Sequence, residues 1–380
     1  MLTFLFVVFI YISANYYLFH ELSAINKFGT IVDVIAGMLI MLMTVAPVLI
    51  PIYEHRGSSG SVKVFSLVCY IWLALLVPFF PMAVLLDLYN AGISYSASMN
   101  LQKLGLPVIS SEIKLMVPFV FSLLIITYGY FEAKNIKVER LTIQTGKLPE
   151  GVKRIRVAQI SDLHLRVIAS DDILDKVIKM FEDEKPDLLV STGDLMDGSI
   201  RHIEHLAVKM RGIKPGLGKF AVTGNHELYG GIKKTTTFIE DSGFTLLRGE
   251  AVTVGNTLCI AGMDFTGGEA KKYSSDFQYR PESEVLAGLP VGLFTLLLKH
   301  RSDVEKDSLG LFDLQLSGHT HRGQIFPMHL ATMFLFQYHA GFTQLAGGSA
   351  IYVSRGTGTA GPPVRFLSRP EITIIDIVAS

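Results

Sequence analysis

Long hydrophobic runs dominate the first third of the chain. Four of them cover about residues 2–19, 34–53, 64–86 and 115–131, and none has a charged residue in its interior. A helix needs about 17–25 mostly apolar residues to cross the hydrocarbon core of a bilayer. The pattern therefore predicts a transmembrane region over residues 1–135 with four spans.

The charges that flank these runs indicate an orientation. With the N-terminus inside, five basic residues lie on the inner side and three on the outer side. The inner set is Arg56, Lys63, Lys134, Lys137 and Arg140, and the outer set is Lys27, Lys103 and Lys114. Because basic residues favour the cytoplasmic side, this bias favours a cytoplasmic location for the rest of the chain.

From about residue 136 the pattern changes to short apolar runs that alternate with polar or helical segments. The predicted strands are Arg154–Ile160, Leu188–Ser191, Lys219–Val222, Leu258–Gly262, Leu293–Leu298, Leu314–Leu316, Ala350–Val353 and Ile372–Ile377. Apolar residues at helical spacing predict a helix over Asp171–Glu184. Strands alternating with helices indicate an α/β domain over residues 136–380.

Composition narrows the possible classes of protein. The formal net charge is zero, which gives no electrostatic case for a nucleic-acid partner. Only Cys69 and Cys259 occur, so the sequence predicts neither a disulfide framework nor a thiolate metal cluster.

Polar residues that can bind metals follow the predicted strands. Because ligands converge at the carboxyl ends of strands in α/β sheets, these residues are expected to meet. They are Asp162 and His164, then Asp194, then Asn225 with His226, then His300, and finally His319 and His321.

Carboxylate, amide and imidazole groups without thiolates suit Mn, Fe or Zn. Asp194 can bridge two cations through its two oxygens, and two cations in one site promote displacement at phosphorus. His226 is a candidate proton donor to the leaving oxygen. The residues thus predict a binuclear site, with Asp194 and His226 as its catalytic residues.

The ordered blocks Asp-x-His, Gly-Asp-x-x-Asp, Gly-Asn-His-Glu, a lone His and Gly-His-x-His resemble the calcineurin-like metallophosphoesterases. The resemblance implies a four-layer α/β/β/α sandwich and two divalent metal ions, with Mn²⁺ expected first and Fe or Zn as alternatives. It implies one metal held by Asp162, His164 and His321. A second would be held by Asn225, His300 and His319, with Asp194 between the two.

The Gly-rich tail from Gly347 to Arg365 is similar to that of the bacterial membrane-associated branch with the YkuE- and YaeI-type phosphodiesterases. It also resembles the UDP-diacylglucosamine hydrolase of the lipid A pathway. The resemblance implies a multi-pass enzyme of the cell inner membrane that cuts a phosphodiester or pyrophosphate bond. The lipid bilayer and an amphiphilic, phosphate-containing substrate are then the expected partners, with no nucleic acid.

An apolar segment over residues 325–336 directly follows the His319/His321 block. One interpretation is an ordinary core helix. The other, which we favour, is an apolar flap that enters the membrane interface or receives an acyl chain, with Phe334 and Phe336 as its aromatic residues.

Several other polar residues have less specific roles. Asp197 and Glu227 are expected to act as structural residues or to orient the ligands. Arg355 and Arg365 could pair with a substrate phosphate or stabilise loops. Surface or interfacial positions are expected for His202, His205, His329 and His339.

Two other functions remain open from the sequence. One is a nuclease or a nucleotide or cyclic-nucleotide phosphodiesterase, which the neutral charge disfavours. The other is a non-enzymatic metal sensor or transporter, which the absence of charges inside the four runs disfavours.

Overall fold

The computed structural model describes residues 2–25, 29–56, 60–99, 106–166, 170–197, 203–265 and 280–380. The chain forms two compact units. The first contains Met1–Tyr130, Ile325–Pro327 and Pro362–Phe366, and the second contains Phe131–Gln324, Met328–Gly361 and Leu367–Ser380.

The first unit is helical. Its helices are α1 (Leu2–Ile25), α2 (Thr30–Arg56), α3 (Gly60–Ser98) and α4 (Ser111–Lys134), the last of which continues into the second unit. By length and composition, three stretches are apolar enough to cross a membrane, namely Thr30–Ile50 of α2, all of α3 and all of α4. Of the four predicted spans, α1 therefore stays a prediction. Helix α3 also continues to Ser98, beyond the predicted end of its run at residue 86.

The core of the first unit includes two short segments that are distant in sequence from the helices. Ile325 and Val364 belong to the same buried cluster as Phe79 of α3. The backbone N–H of Arg365 donates to the Gly129 carbonyl at 3.0 Å. A side chain at Gly129 would lie 2.7 Å from the Arg365 carbonyl oxygen, so this close approach requires glycine.

Charged residues of three helices meet in this unit. The Lys114 Nζ atom lies 3.2 Å from Glu21 Oε1 and 2.7 Å from Asp87 Oδ1. The Tyr17 hydroxyl donates to Asp87 Oδ2 at 2.7 Å. Asp87 lies inside α3, directly after the predicted apolar run that ends at residue 86. Its negative charge is paired with the positive charge of Lys114.

The second unit contains two mixed sheets of six strands each. The first has the order β1-β12-β2-β3-β4-β5, and the second has the order β10-β11-β9-β8-β7-β6. The strands are β1 (Lys137–Thr145), β2 (Arg154–Ile160), β3 (Leu188–Ser191), β4 (Lys219–Ala221), β5 (Thr245–Leu246), β6 (Glu250–Val254), β7 (Leu258–Gly262), β8 (Phe294–Leu298), β9 (Leu314–Ser317), β10 (Gly341–Gln344), β11 (Ala350–Val353) and β12 (Glu371–Ala379).

Six helices accompany these sheets within the described part of the chain. They are α5 (Ser170–Glu184), α6 (Glu204–Arg211), α7 (Asn225–Tyr229), α8 (Ile232–Asp241), α9 (Glu282–Ala287) and α10 (Met328–Leu335). One apolar cluster contains residues of both sheets, such as Val157 of β2 and Leu296 of β8. A second cluster joins the first sheet to α5, α6 and α8 through residues such as Leu174. Both sheets thus bury apolar side chains.

Parallel pairing sets the edge at which the site forms. Strands β2, β3 and β4 are parallel to one another, and so are β8 and β9. Each of these strands agrees with a predicted one to within one residue at either end. Their carboxyl ends therefore lie at a common edge of each sheet, where the polar clusters follow.

Candidate metal centre

Asp162, His164 and His321 form the first group of side chains that can hold a cation. One donor atom from each lies within 4.8 Å of the others, and all three residues are buried. Asp162 and His164 follow β2, and His321 follows β9. His321 Nε2 is 3.3 Å from Asp162 Oδ1 and 3.0 Å from His164 Nε2.

Asp194, His300 and His319 form a second group with the same spacing limit. His300 Nε2 lies 3.2 Å from Asp194 Oδ2 and 3.2 Å from the Asn225 side-chain oxygen. His319 Nδ1 lies 3.1 Å from His300 Nε2. All the side chains predicted for the second metal thus meet around His300.

Asp194 also belongs to a third group, with His164 and His226. Its Oδ2 atom is 3.9 Å from His164 Nε2 and 4.0 Å from His226 Nε2. The carboxylate therefore lies between the first two groups, which is where a bridging ligand must be.

The ligand loops have an unusual backbone. Asp162, His164, Asp194, His319 and His321 all have positive φ values, between 48° and 72°. A non-glycine residue in this region costs of the order of 1–3 kcal/mol and persists only where the surrounding structure enforces it. The loops turn sharply after each strand, and this brings the side chains to one point.

Glu227 links two of these loops by hydrogen bonds. Its carboxylate is buried and accepts the backbone N–H groups of Asp194 at 2.9 Å, Leu195 at 2.8 Å and Gly224 at 2.7 Å. A side chain at Gly224 would lie 2.1 Å from Asp194 Oδ1, so the two loops touch directly. These hydrogen bonds agree with the predicted role of Glu227 in orienting the ligands.

Two histidines of the site are neutral, as metal ligands must be, and the Asp194 carboxylate stabilises positive charge at His300, where a cation could take the place of the proton. Burial lowers the pKa of His164 and of His319 to about 3, so both are neutral. Burial also lowers the pKa of His300, but the Asp194 carboxylate outweighs it and raises the value to about 9. Imidazole nitrogens that face each other at 3.0–3.1 Å repel through their lone pairs unless a proton or a cation lies between them. The donors therefore suit divalent cations of the Mn, Fe or Zn type.

Asp197 contacts His226 directly. Its Oδ1 atom is 2.9 Å from His226 Nδ1, and its Oδ2 atom is 3.9 Å from His164 Nδ1. Burial lowers the pKa of His226, but the carboxylates of Asp194 and Asp197 outweigh it and raise the value to about 10. The two carboxylates thus favour the protonated form of His226, whose Nε2 atom is on the side of Asp194.

The Gly-rich tail supports the first ligand loop. Thr357 N–H donates to the Ser161 carbonyl at 2.7 Å, and Gly358 N–H donates to the Asp162 carbonyl at 3.0 Å. Arg355 forms ion pairs with Glu371 and Glu139, and Arg365 is fully buried. The ion pairs of Arg355 and the burial of Arg365 favour the loop-stabilising role of the two considered from the sequence.

Helix α10 is apolar but mostly exposed, so it is not an ordinary core helix. Phe334 is 90% exposed, and Leu330, Met333 and Leu335 are 45–56% exposed. Phe336, which follows the helix, places its ring 5.6 Å from that of His319. The segment thus has an exposed apolar face and one aromatic contact with a candidate ligand.

The other histidines lie outside the ligand groups. His205 is at the surface beside Asp171, with its Nε2 atom 3.2 Å from the carboxylate. His329 and His339 are partly buried near Arg322, whose charge adds to burial in lowering the pKa of both. His202 lies outside the described residues.

Sequence reasoning did not single out Phe265 or Arg322. The Phe265 ring lies 5.9 Å from that of His300 and 6.1 Å from that of His319. It follows the end of β7, so the rule used for the ligands could have identified it. Arg322 directly follows His321, and this position is the only signal in the sequence by which it could have been identified.

Comparison with known proteins agrees with this geometry. Residues 155–323 match the family model described as calcineurin-like phosphoesterase. An uncharacterized metallophosphoesterase of Aquifex aeolicus is 40% identical over 66% of this chain and 95% of its own length. The uncharacterized metallophosphoesterase YkuE of Bacillus subtilis is 31% identical over 66% of this chain and 89% of its own.

Another relative is named as a transmembrane protein. The Danio rerio transmembrane protein with metallophosphoesterase domain is 28% identical over 68% of this chain and 62% of its own length. At 40% identity the match spans nearly all of the Aquifex aeolicus protein, which is named as a metallophosphoesterase. The chain therefore belongs to the calcineurin-like metallophosphoesterases, a family of metal-dependent phosphoric ester hydrolases.

Proposed function

We propose that this protein is a membrane-bound binuclear phosphoesterase that cuts a phosphodiester or pyrophosphate bond in an amphiphilic substrate. The observation that carries the proposal is the convergence of two ligand groups on the buried carboxylate of Asp194. The exposed apolar helix that follows the last ligand supports the amphiphilic part.

The side chains divide between two cations. Asp162, His164 and His321 would hold one, and His300, His319 and Asn225 would hold the other, with Asp194 shared. Two divalent cations, with Mn²⁺ as the first candidate, would neutralise phosphoryl charge and lower the pKa of water. The surrounding residues exclude bulk water, since six of these seven ligands are buried.

His226 supplies the proton for the leaving oxygen. Its Nε2 atom faces the site, and Asp197 accepts from Nδ1–H, which fixes the ring and its tautomer. A protonated imidazole held in this way donates its Nε2 proton to the oxygen that departs from phosphorus. Asp197 is a positioning residue because it acts through His226.

The apolar part of the substrate is proposed to lie along α10. Its exposed side chains lie within a few residues of Phe336, whose ring touches that of His319. An acyl chain on this face would bury apolar area at about 25 cal/mol per Å².

The membrane placement is proposed from the helices. We infer four spans within residues 1–135 and a catalytic domain over residues 136–380, with the layers α/β/β/α. The apolar lengths of α2, α3 and α4 support this, as does the pairing of Lys114 with Glu21 and Asp87, since the three residues border apolar runs at one membrane face in an alternating topology. The excess of basic residues on one side favours a cytoplasmic domain at the cell inner membrane.

The test is manganese-dependent hydrolysis of bis-p-nitrophenyl phosphate by the full chain in detergent. Asp194→Asn should abolish the activity, since it removes the shared carboxylate charge. Asp175→Asn, at an exposed position, is the control and should keep it. Equal rates for wild type and Asp194→Asn would overturn the binuclear mechanism.

A further inference from the structure

A second polar cleft opens in the catalytic unit beside the last ligand loop. It has a volume of about 300 Å³. Its lining includes Arg322, His339, Tyr352, Arg355, Glu139 and Glu371. Only Arg322 of these adjoins a predicted metal ligand, since it directly follows His321.

The cleft lies at the same edge of the sheets as the ligand loops. Glu371 begins β12, whose residue Thr373 pairs with Gln159 near the carboxyl end of β2. Glu139 lies near the start of β1, which runs parallel to β12. The cleft is therefore a neighbour of the Asp162 loop and not a pocket at the opposite end of the sheets.

A polar link connects the cleft to the ligand loop itself. The Thr320 hydroxyl accepts from the Arg322 backbone N–H at 3.2 Å and donates to the His339 carbonyl at 2.6 Å. Phe336, three residues before His339, touches the His319 ring. The chain over residues 336–341 therefore runs beside residues 319–322, from the candidate metal site to the cleft.

The charges of the cleft are uneven. Glu139 and Glu371 are neutralised, because Arg355 pairs with both and Lys137 Nζ lies 3.0 Å from Glu139 Oε1. The guanidinium of Arg322 has no ion pair or hydrogen bond to any residue that the structure describes. One end of the cleft thus presents an uncompensated positive charge.

The backbone of Arg322 holds this charge in place. Its φ is 48°, a conformation that a long side chain adopts only under constraint. The Thr320 hydroxyl and the adjacent ligand residue supply that constraint. Strain of this kind in a residue next to a metal loop favours a role in binding over one in packing.

We infer that the Arg322 end of the cleft binds a second phosphate group of the substrate, next to the phosphoryl group that is cleaved. Guanidinium is suited to this task because its fork of N–H donors matches two phosphate oxygens. The inference rests on the proposed function. It favours substrates with two neighbouring phosphates over simple diesters.

The experiment compares two inhibitors of bis-p-nitrophenyl phosphate hydrolysis at fixed free Mn²⁺. Methylphosphonate carries one anionic group, and methylenediphosphonate carries two. Wild type should prefer the diphosphonate, and Arg322→Asn should reduce this preference by about 10- to 100-fold, the effect of losing one charge-assisted contact. Asparagine tolerates a positive φ, so the loop should keep its conformation.

Three more variants make the result specific. Arg322→Lys should keep most of the preference, and Arg322→Gly, which also fits the backbone, should behave as Arg322→Asn does. Arg301→Asn is the matched control, since Arg301 also follows a predicted ligand but pairs with Asp303 at 3.2 Å. An unchanged preference in Arg322→Asn and Arg322→Gly would overturn the inference.

Calorimetric titration of the manganese-loaded chain with methylenediphosphonate gives a readout that needs no turnover. The affinity should fall in Arg322→Asn and Arg322→Gly and hold in Arg301→Asn. Absence of hydrolysis in wild type, with this binding pattern intact, would count against the proposed function alone. Active enzyme with equal affinities in all variants would count against the cleft alone.

Discussion

His226 Nδ1 lies 2.9 Å from Asp197 Oδ1, and this contact joins the candidate proton donor to a carboxylate that is not a predicted ligand. We expect His226→Gln to slow the hydrolysis of an alkyl phosphodiester by about 10²–10⁴-fold, since the alkoxide needs a proton to leave. The p-nitrophenyl ester should lose much less, because p-nitrophenolate leaves without one. The rates of the two esters measure this directly.

Asp197→Asn should show the same dependence on the leaving group with a smaller loss, about 10–100-fold on the alkyl ester. A purely structural role for Asp197 would instead slow both esters equally. Asp183→Asn changes a carboxylate in helix α5 and serves as the control.

The two ligand groups predict the metal content of variants. We expect two bound metals in wild type and one in Asn225→Ala, since the Asn225 side-chain oxygen is 3.2 Å from His300 in the second group. Mass spectrometry of the purified, dialysed proteins gives the stoichiometry. Asn256→Gly, which removes a surface amide at a φ of 52°, should keep both metals. Two metals in Asn225→Ala would show that the group is assigned wrongly.

Substitutions of Phe334 and Phe336 should have different effects on the turnover of a lipid and of a soluble substrate. Phe334 is 90% exposed, so Phe334→Ser should weaken turnover of a lipid substrate by about 10-fold and leave bis-p-nitrophenyl phosphate unaffected. Phe336→Ser should slow both substrates, because its ring packs on His319. Kinetics with a lipid extract and with the soluble ester distinguish the two. Val291→Ser, at another exposed apolar position, should change the turnover of neither substrate. Equal effects of all three variants on both substrates would contradict a role of this segment as an apolar flap.

Gly358 in the Gly-rich tail should be required for metal binding by the group that contains Asp162. A methyl group at position 358 would lie 2.1 Å from the Leu163 carbonyl oxygen and 2.9 Å from that of Asp162. We expect Gly358→Ala to lower the free energy of unfolding of the catalytic unit by about 1–3 kcal/mol and to weaken metal binding. Thermal unfolding with and without Mn²⁺ tests both effects. Gly216→Ala, where the methyl group meets open space, should behave as wild type, and a normal response in Gly358→Ala would refute the tail's role.

Local patterns in the sequence were enough to place much of the fold and the candidate ligands. Strands β2, β3, β7 and β11 begin and end where the apolar runs do, because β3, β7 and β11 are buried throughout and β2 is buried from Val157 onward. The polar groups that follow β2, β3, β4, β8 and β9 meet because parallel strands end at one edge. That geometry needs no knowledge of long-range contacts.

Features that depend on distant contacts were not predictable in this way. Strand β1 has an alternating pattern of burial and gave no long apolar run, yet β12 pairs with it along its whole length. The contact of Asp197 with His226 depends on two loops that follow different strands. The charge balance around Arg322, among the residues that the structure describes, depends on the pairing of Arg355 with Glu139 and Glu371, which lie far from it in sequence.

Strand β12 is synthesised last of the twelve but lies between β1 and β2 in the first sheet. While the chain is still on the ribosome, β1 therefore has no neighbour, and β2 lacks one of its two partners. The tail that holds the Asp162 loop precedes β12 closely and also emerges late. In the proposed topology the apolar helices would enter the bilayer well before the metal site can form, so the enzyme would become competent for hydrolysis only after it had reached its membrane.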